Sequence, residues 1–130
     1  MAFLIHSVDD GHVPAWEYLP CAAITPKVGM ALTFSSGNLT TAAGTVKPGY
    51  ICMAEKSAAC TAGDLIPVIR VNGDIVFETV SSASMASIKP GDKVTIASDG
   101  LRVTATTTSG VAEVVEVLDS ASGGAVRIRF

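Results

Sequence analysis

One run of turn and strand signals occurs twice in this chain of 130 residues. Residues 29–39 align without a gap on residues 91–101, with glycine, threonine, serine and leucine repeated and the apolar positions matched in kind. The copies also end alike, in residues 63–71 and 123–130. Short apolar runs between turn residues are typical of sandwiches and barrels. The repeat predicts a doubled small all-β unit whose regularity is architectural, so the function must lie in what its surface assembles with.

The chain carries few charges for its size. Charged residues make up 16% and hydrophobic residues 48%, whereas an average soluble domain has about 25% charged residues. A chain of this length forms one domain, and excess apolar surface on such a domain indicates a partner, so we expect a homo-oligomer or a docked subunit. The net charge of −3 and the scattered basic residues argue against a nucleic-acid partner.

No segment has the pattern of a targeting or membrane sequence. The longest uncharged stretch, residues 28–46, contains serines, threonines and Asn38, which hydrocarbon would not tolerate. The first six residues lack a basic region, so we expect synthesis in a cytosol. Cys21, Cys52 and Cys60 form an odd set without Cys-x-x-Cys spacing. They predict neither disulfides nor a zinc site, and we expect three buried thiols.

Residues 1–25 differ from the rest of the chain. They combine an acidic turn with a segment in which Pro14 and Pro20 flank the only tryptophan. Because proline removes a ladder donor and favours extended geometry before it, we predict an extended arm over residues 1–25 and a β-barrel or β-sandwich domain over residues 26–130. Trp16 and Tyr18 would either anchor the arm in a partner or fold back on their own domain, and the sequence leaves both open.

Local patterns predict the strand connections. Asn72-Gly73 predicts a type I′ hairpin joining residues 66–71 to residues 74–79. Asp99-Gly100 predicts a second hairpin between residues 94–97 and residues 101–104.

Three further patterns concern single segments. In the last strand, alternation directs Val126, Ile128 and Phe130 to one face and the two arginines between them to the other. Two glutamates three residues apart predict either a bulge in residues 111–118 or a strand with one solvent-exposed edge. Residues 81–88 are the one plausible helical turn.

Candidate chemistry is weak throughout. His6 and His12 could bind a metal with Asp9 or Asp10, but they lack a third rigid ligand. Nucleophilic catalysis requires a base beside a serine or cysteine, and both histidines lie in the arm. The glycines of residues 43–49 lack phosphate-loop order, and Lys56 is not centred in the symmetric hairpin of a swinging-arm carrier. We therefore predict no enzymatic activity, no cofactor and no metal.

Several segments together resemble the small head decoration proteins of tailed bacteriophages, and the resemblance spans nearly the whole chain. The residues that carry it are 16–20, 25–32, 59–70, 93–96 with 99–100, and 126–130. It implies a subunit that binds the outer surface of the assembled capsid, commonly as a homotrimer, and cements neighbouring major capsid proteins. It also implies synthesis in the bacterial cytoplasm and a final location on the virion.

In that family the N-terminal arm often adds to a strand or loop of the shell, and main-chain pairing of this kind supplies affinity. Clustering three copies raises the effective concentration of each arm. The capsid contacts expected on this basis are Phe3, Leu4, Ile5, His6, Val8, Trp16 and Tyr18. A carbohydrate- or surface-binding β module of a phage particle is the alternative, and a small β-barrel hydrolase is a third hypothesis.

Overall fold

The computed structural model describes residues 2–130 and contains ten β-strands in two antiparallel sheets. In chain order the strands are β1 (Leu4–Val8), β2 (Trp16–Pro20), β3 (Ala31–Ser35), β4 (Asn38–Thr41), β5 (Tyr50–Cys52), β6 (Leu65–Arg70), β7 (Ile75–Val80), β8 (Lys93–Val94), β9 (Ala112–Val117) and β10 (Ala125–Arg129). Sheet I has the order β2-β6-β5-β3-β4, and sheet II has the order β1-β7-β10-β9-β8. The predicted all-β class is confirmed, with two open sheets in place of a closed barrel.

The sequence repeat corresponds to a repeated topology. Neighbours run β2-β6-β5-β3 in sheet I and β7-β10-β9-β8 in sheet II, and the strands of each series follow the same chain order. The strands β2 to β6 therefore form an N-terminal unit, and β7 to β10 form a C-terminal unit of the same design. The strand β1 has no counterpart and is added to the outer edge of β7.

Backbone hydrogen bonds repeat between the two units. Gly29 donates to the carbonyl of Cys52 at 2.7 Å, and Gly91 donates to the carbonyl of Val114 at 2.8 Å. Three further N–H to carbonyl bonds of the N-terminal unit have equivalents in the C-terminal unit. The bond from Cys52 to Met30 corresponds to that from Val114 to Asp92, and the bond from Gly49 to Leu32 corresponds to that from Val111 to Val94. The bond from Cys21 to Asp64 corresponds to that from Ser81 to Gly124. The short apolar runs and the turns between them thus specify one unit twice.

The large core lies between the two sheets. Ala31, Ile51 and Ile69 stand side by side across three strands of sheet I and belong to this core. They share it with residues of sheet II: Phe77, Val94, Val114, Val126 and Ile128. The buried residues of a smaller core all belong to the N-terminal unit: Cys21, Met30, Leu32, Leu39, Cys52, Cys60, Ile66 and Val68. The alternation of each strand thus gives sheet I two apolar faces.

The predicted hairpin at Asn72-Gly73 is wrong. The flanking strands exist almost as predicted, but β6 belongs to sheet I and β7 to sheet II. Neither turn residue has a positive φ, and the Asn72 side chain accepts a hydrogen bond from the N–H of Asp74 at 2.9 Å. The segment is an Asx turn that carries the chain from one sheet to the other.

The predictions for later segments have mixed outcomes. The hairpin at Asp99-Gly100 is confirmed, since Ala97 donates to the carbonyl of Arg102 at 2.8 Å. The bulge in β9 is confirmed as a register shift against β10. The helical turn over residues 81–88 is wrong, because no helix occurs among residues 2–130 and this segment is an irregular loop whose Met85 and Ile88 enter the core. The part of the chain that is described thus has no helix that could cross a membrane.

The alternation predicted for the last strand is confirmed. Val126 and Ile128 are fully buried in the core, and Phe130 packs partly buried against it. The ring of Phe130 lies 5.2 Å from that of Phe3 and 5.6 Å from that of Phe77, measured between centroids. The end of the chain is thus held inside the sheet.

Two strands within residues 2–25 pair with the remainder of the chain. Met1 lies outside the described residues, but β1 pairs with β7 and β2 pairs with β6 along its whole length. The segment is extended, as predicted, yet it forms an edge strand of each sheet. Prolines and a partly apolar pattern are typical of an edge strand as well as of a free arm.

Candidate partner-binding surface

The first strand is anchored by side chains that face its own core. Phe3 is fully buried, and its N–H donates to the carbonyl of Gly29 at 2.9 Å. Ile5 and Val8 pack against the large core. In the strand register they stand opposite Phe77 and Ile75 of β7, respectively. Phe3, Ile5 and Val8 were predicted as capsid contacts. In this conformation Phe3 is part of the large core, and Ile5 and Val8 pack against it.

The other face of β1 is open. Leu4 is 53% exposed, and His6 is exposed at the point where the register with β7 shifts. A bulge at this position turns the edge of the strand and interrupts regular pairing. Leu4 and His6 are therefore the predicted contact residues of β1 that a partner could touch without unfolding the strand.

The second strand presents the largest exposed aromatic side chains. Trp16 is 55% exposed and Tyr18 is 62% exposed, although both lie in a regular strand. They stand opposite Ile69 and Pro67 of β6, so they lie on the face of sheet I that contributes to the large core. At the edge of this face their side chains remain exposed. Leu65, opposite Pro20, is exposed beside them. These side chains form an apolar ledge along the β2 edge: Trp16, Tyr18 and Leu65.

Charged contacts on the opposite face hold β2 in place. Arg70 donates to both carboxylate oxygens of Glu17, at 3.1 and 3.3 Å. The guanidinium also lies 5.2 Å from the centroid of the Tyr50 ring. The Glu17 carboxylate raises the pKa of Arg70 above its ordinary value. A bidentate pair of this kind fixes geometry, so the aromatic ledge is carried by a braced strand.

A second ion pair ties the turn after β1 to the last strand. Arg129 donates to both oxygens of Asp9, at 2.8 and 3.1 Å, and to the carbonyl of Gly73 at 2.8 Å. The Arg129 guanidinium lowers the pKa of the Asp9 carboxyl. Sequence reasoning missed this pair, because an acidic turn and a terminal arginine give no local signal of their proximity.

The outer face of sheet II is charged. Arg127 donates to Glu78 at 3.1 Å and to Glu116 at 2.9 Å, which links β7, β10 and β9. Near it, a cavity of about 390 Å³ is lined by charged residues, glycines and two apolar residues: Lys47, Gly73, Lys93, Gly110, Val111, Glu113, Arg129 and Phe130. Its charged lining consists of two lysines, an arginine that is paired with Asp9, and one carboxylate, that of Glu113.

The three cysteines are buried and free, as predicted. Burial raises the pKa of the Cys21 thiol to about 12, with a further contribution from Cys60. Burial also raises the pKa of Cys52, whose Sγ donates to the carbonyl of Ala54 at 3.1 Å. A neutral thiol is a poor nucleophile and a poor metal ligand, so Cys21 and Cys52 act as packing groups.

No cluster of metal-binding side chains is assembled within residues 2–130. No group of three His, Cys, Asp or Glu side chains there could hold a metal ion. His12 approaches only Asp10, with Nδ1 3.7 Å from the carboxylate, and both side chains are exposed. No protein-family model and no curated protein matches this sequence.

Proposed function

We propose that this chain is a structural capsid decoration protein of a tailed bacteriophage, which binds the outer surface of the assembled head and stabilises it as a homotrimer. The observation that carries the proposal is the apolar ledge on β2. Trp16 and Tyr18 are more than half exposed on a braced edge strand of a compact domain. Rigid aromatic side chains at an open surface are typical anchors of a protein interface.

The rest of the molecule supports a structural role. The low charge of the chain leaves apolar surface for subunit contacts. The resemblance to head decoration proteins points in the same direction. The partner in this proposal is the major capsid protein, with further copies of the chain in the trimer, and the location is the outside of the virion.

The test is binding to expanded heads of the phage that encodes the chain. We expect the purified protein to co-sediment with heads that lack it and to raise their resistance to heat. Trp16→Ala and Tyr18→Ala together should abolish binding. Phe34→Ala is the matched control, because Phe34 is also an exposed aromatic side chain but lies on β3, away from the ledge. Wild-type protein that fails to bind expanded heads would refute the proposal.

The trimer has its own measurement. Sedimentation equilibrium of the purified chain should give three times the mass of 13.3 kDa. A monomer at all concentrations would remove the homotrimer from the proposal without deciding whether the chain binds heads.

A carbohydrate-binding module of a phage particle is the second candidate. Trp16 and Tyr18 stand two residues apart on one face of a strand, and exposed aromatic rings can stack on sugars. Binding to a glycan array that is lost in Trp16→Ala, with no binding to heads, would favour this candidate.

A further inference from the structure

We propose that the outer edge of β2, over residues 15–18, is a seat for a short extended segment of a partner protein, which pairs antiparallel with it. The identification of that partner as the shell protein rests on the proposed function. The argument for the seat itself comes from the two repeated units, because one of them carries such a strand and the other does not.

The strands β2 and β7 are equivalent in the two units. Each pairs with the closing strand of its unit, so that Tyr18 stands opposite Pro67 as Glu78 stands opposite Arg127. At their carboxyl ends both are covered in the same way. Ala22 donates to the carbonyl of Leu39 at 2.8 Å, and the corresponding bond runs from Ser82 to Val103, also at 2.8 Å.

The amino-terminal halves of these two strands differ. In the C-terminal unit, β1 covers residues 75–78 of β7 as an antiparallel strand. In the N-terminal unit, no strand among residues 2–130 pairs with the outer edge of β2 at the equivalent residues 15–18. The fold thus contains one filled and one vacant copy of the same strand position.

The backbone of β2 offers hydrogen-bonding groups to an incoming strand. Cys21 donates to Asp64 and accepts from Gly63, so its peptide groups face β6. Since successive residues of an antiparallel strand face opposite sides, the peptide N–H and C=O groups of Trp16 and Tyr18 face outward. In the C-terminal unit, Asp74 belongs to the same outward-facing series of residues, and its carbonyl accepts a hydrogen bond from the N–H of Asp9, next to β1.

Prolines limit the length of the seat. Pro14 and Pro20 share the outward parity of Trp16 and Tyr18 but have no N–H to donate. Such residues blunt a sheet edge and restrict pairing. The seat therefore accepts only a short segment, comparable to the five residues of β1.

The chemistry of the seat selects the occupant. Trp16 and Tyr18 flank the edge on one face, so a segment with apolar side chains at alternate positions would cover them. Pairing between the β2 edges of two copies, centred on Glu17, would place this carboxylate opposite Glu17 of the second copy, and like charges directly opposite destabilise a sheet. A partner segment with the pattern of β1 is thus the occupant that fits.

The test uses the full chain and a synthetic peptide with the sequence of residues 3–8, blocked at both ends. In nuclear magnetic resonance spectra we expect the peptide at millimolar concentration to shift the amides of Trp16 and Tyr18 and to slow their hydrogen exchange. Tyr18→Pro should weaken this response about tenfold, because it removes an outward N–H but leaves the ladder to β6 intact.

Tyr18→Ala is the matched control, since it keeps the N–H and removes only the aromatic ring; it should retain part of the response. Should Tyr18→Pro not fold, Trp16→Pro blocks the same edge. Amide shifts centred on Val76 and Glu78 would mean that the peptide replaces β1, and this result would overturn the proposal. A full response in both proline variants would overturn it as well.

Two further outcomes separate this proposal from others. Protection of the Trp16 and Tyr18 amides that rises with protein concentration alone would assign the seat to a second copy and overturn the partner segment. Heads bound equally well by wild-type and Tyr18→Pro protein would overturn the seat as the capsid contact while leaving capsid decoration standing. Binding of the peptide at the β2 edge without binding of the protein to heads would support the seat and overturn capsid decoration.

Discussion

Single residues decide how closely the N-terminal segment can approach the core. Gly29 and Gly91 are equivalent turn residues with φ of 79° and 95°, respectively. A Cβ at Gly29 would lie 2.4 Å from the Cβ of Ala2 and 2.9 Å from the backbone of Phe3, whereas a Cβ at Gly91 would meet nothing within 4 Å. The two positions therefore share a backbone conformation and differ only in the space around them.

This difference allows backbone strain to be separated from steric displacement. We expect Gly91→Ala to lower the free energy of unfolding by about 1 kcal/mol, the cost of a left-handed conformation for alanine. Gly29→Ala should lower it by roughly 2 kcal/mol more, because Ala2 and the backbone of Phe3 must shift to make room for the new Cβ. Urea unfolding of the two variants measures both values. Equal losses would contradict the role assigned to the contact with Phe3.

Cys21 makes the stability of the fold sensitive to alkali. Its pKa rises from 9.0 to about 12 on folding, so the unfolded chain releases this proton at a lower pH than the folded chain does. The stability conferred by the buried neutral thiol is complete below pH 9.0 and is lost as the pH rises toward 12.

Urea midpoints measured at several pH values above 9 should therefore fall more steeply for the wild-type chain than for Cys21→Ala. Cys52, whose pKa is also raised, stays in both proteins and leaves a residual slope in the variant. Identical slopes in the two proteins would show that Cys21 does not contribute.

At the scale of elements, the last strand is fixed by its terminal aromatic side chain. Phe130 packs between Phe3 of the N-terminal segment and Phe77 of β7. We expect Phe130→Ala to lower the free energy of unfolding by about 2 kcal/mol, less than a fully buried phenylalanine would lose. Phe34→Ala is the control, because Phe34 is exposed and contacts mainly the edge of Tyr50. Equal effects in thermal or urea unfolding would contradict the packing role of Phe130.

The sequence predicted elements well where the deciding pattern is local. Alternation in β10 identified Val126 and Ile128 as core residues, because a strand between two neighbours shows its faces directly in its sequence. The spacing of Glu113 and Glu116 likewise predicted the bulge. The repeated turns predicted two units, and the topology contains them.

The failures concern relations between elements. Asn72-Gly73 predicted a turn, but no local signal states that the strands on either side belong to different sheets. Phe3, Ile5 and Val8 have the pattern of a strand that needs a neighbour, and the sequence did not reveal that β7 of the same chain is such a neighbour; their role as capsid contacts stays a prediction. Trp16 and Tyr18 are exposed on the edge of a sheet, a position that their sequence context left open.

At the scale of the whole molecule, the two units stack in a head-to-tail manner. The row Ala31, Ile51 and Ile69 of sheet I contributes to the core shared with sheet II. The corresponding row of sheet II is Lys93, Glu113 and Arg129, which stand in register across β8, β9 and β10. A contact between two different faces could be repeated from one molecule to the next. The charged row stands where the apolar row would have to be for that repetition, and we expect it to prevent further stacking.

Replacing the charged row by the residues of the apolar row should therefore allow stacking between molecules. We expect the combined change Lys93→Ala, Glu113→Ile and Arg129→Ile to cause association beyond the wild-type state, increasing with concentration in sedimentation velocity. Glutamine at the same three positions is the control, because it removes the charges and the bond from Arg129 to Asp9 without adding apolar surface. If the glutamine variant associates equally, loss of repulsion explains the effect; if neither associates, the charged row does not limit stacking.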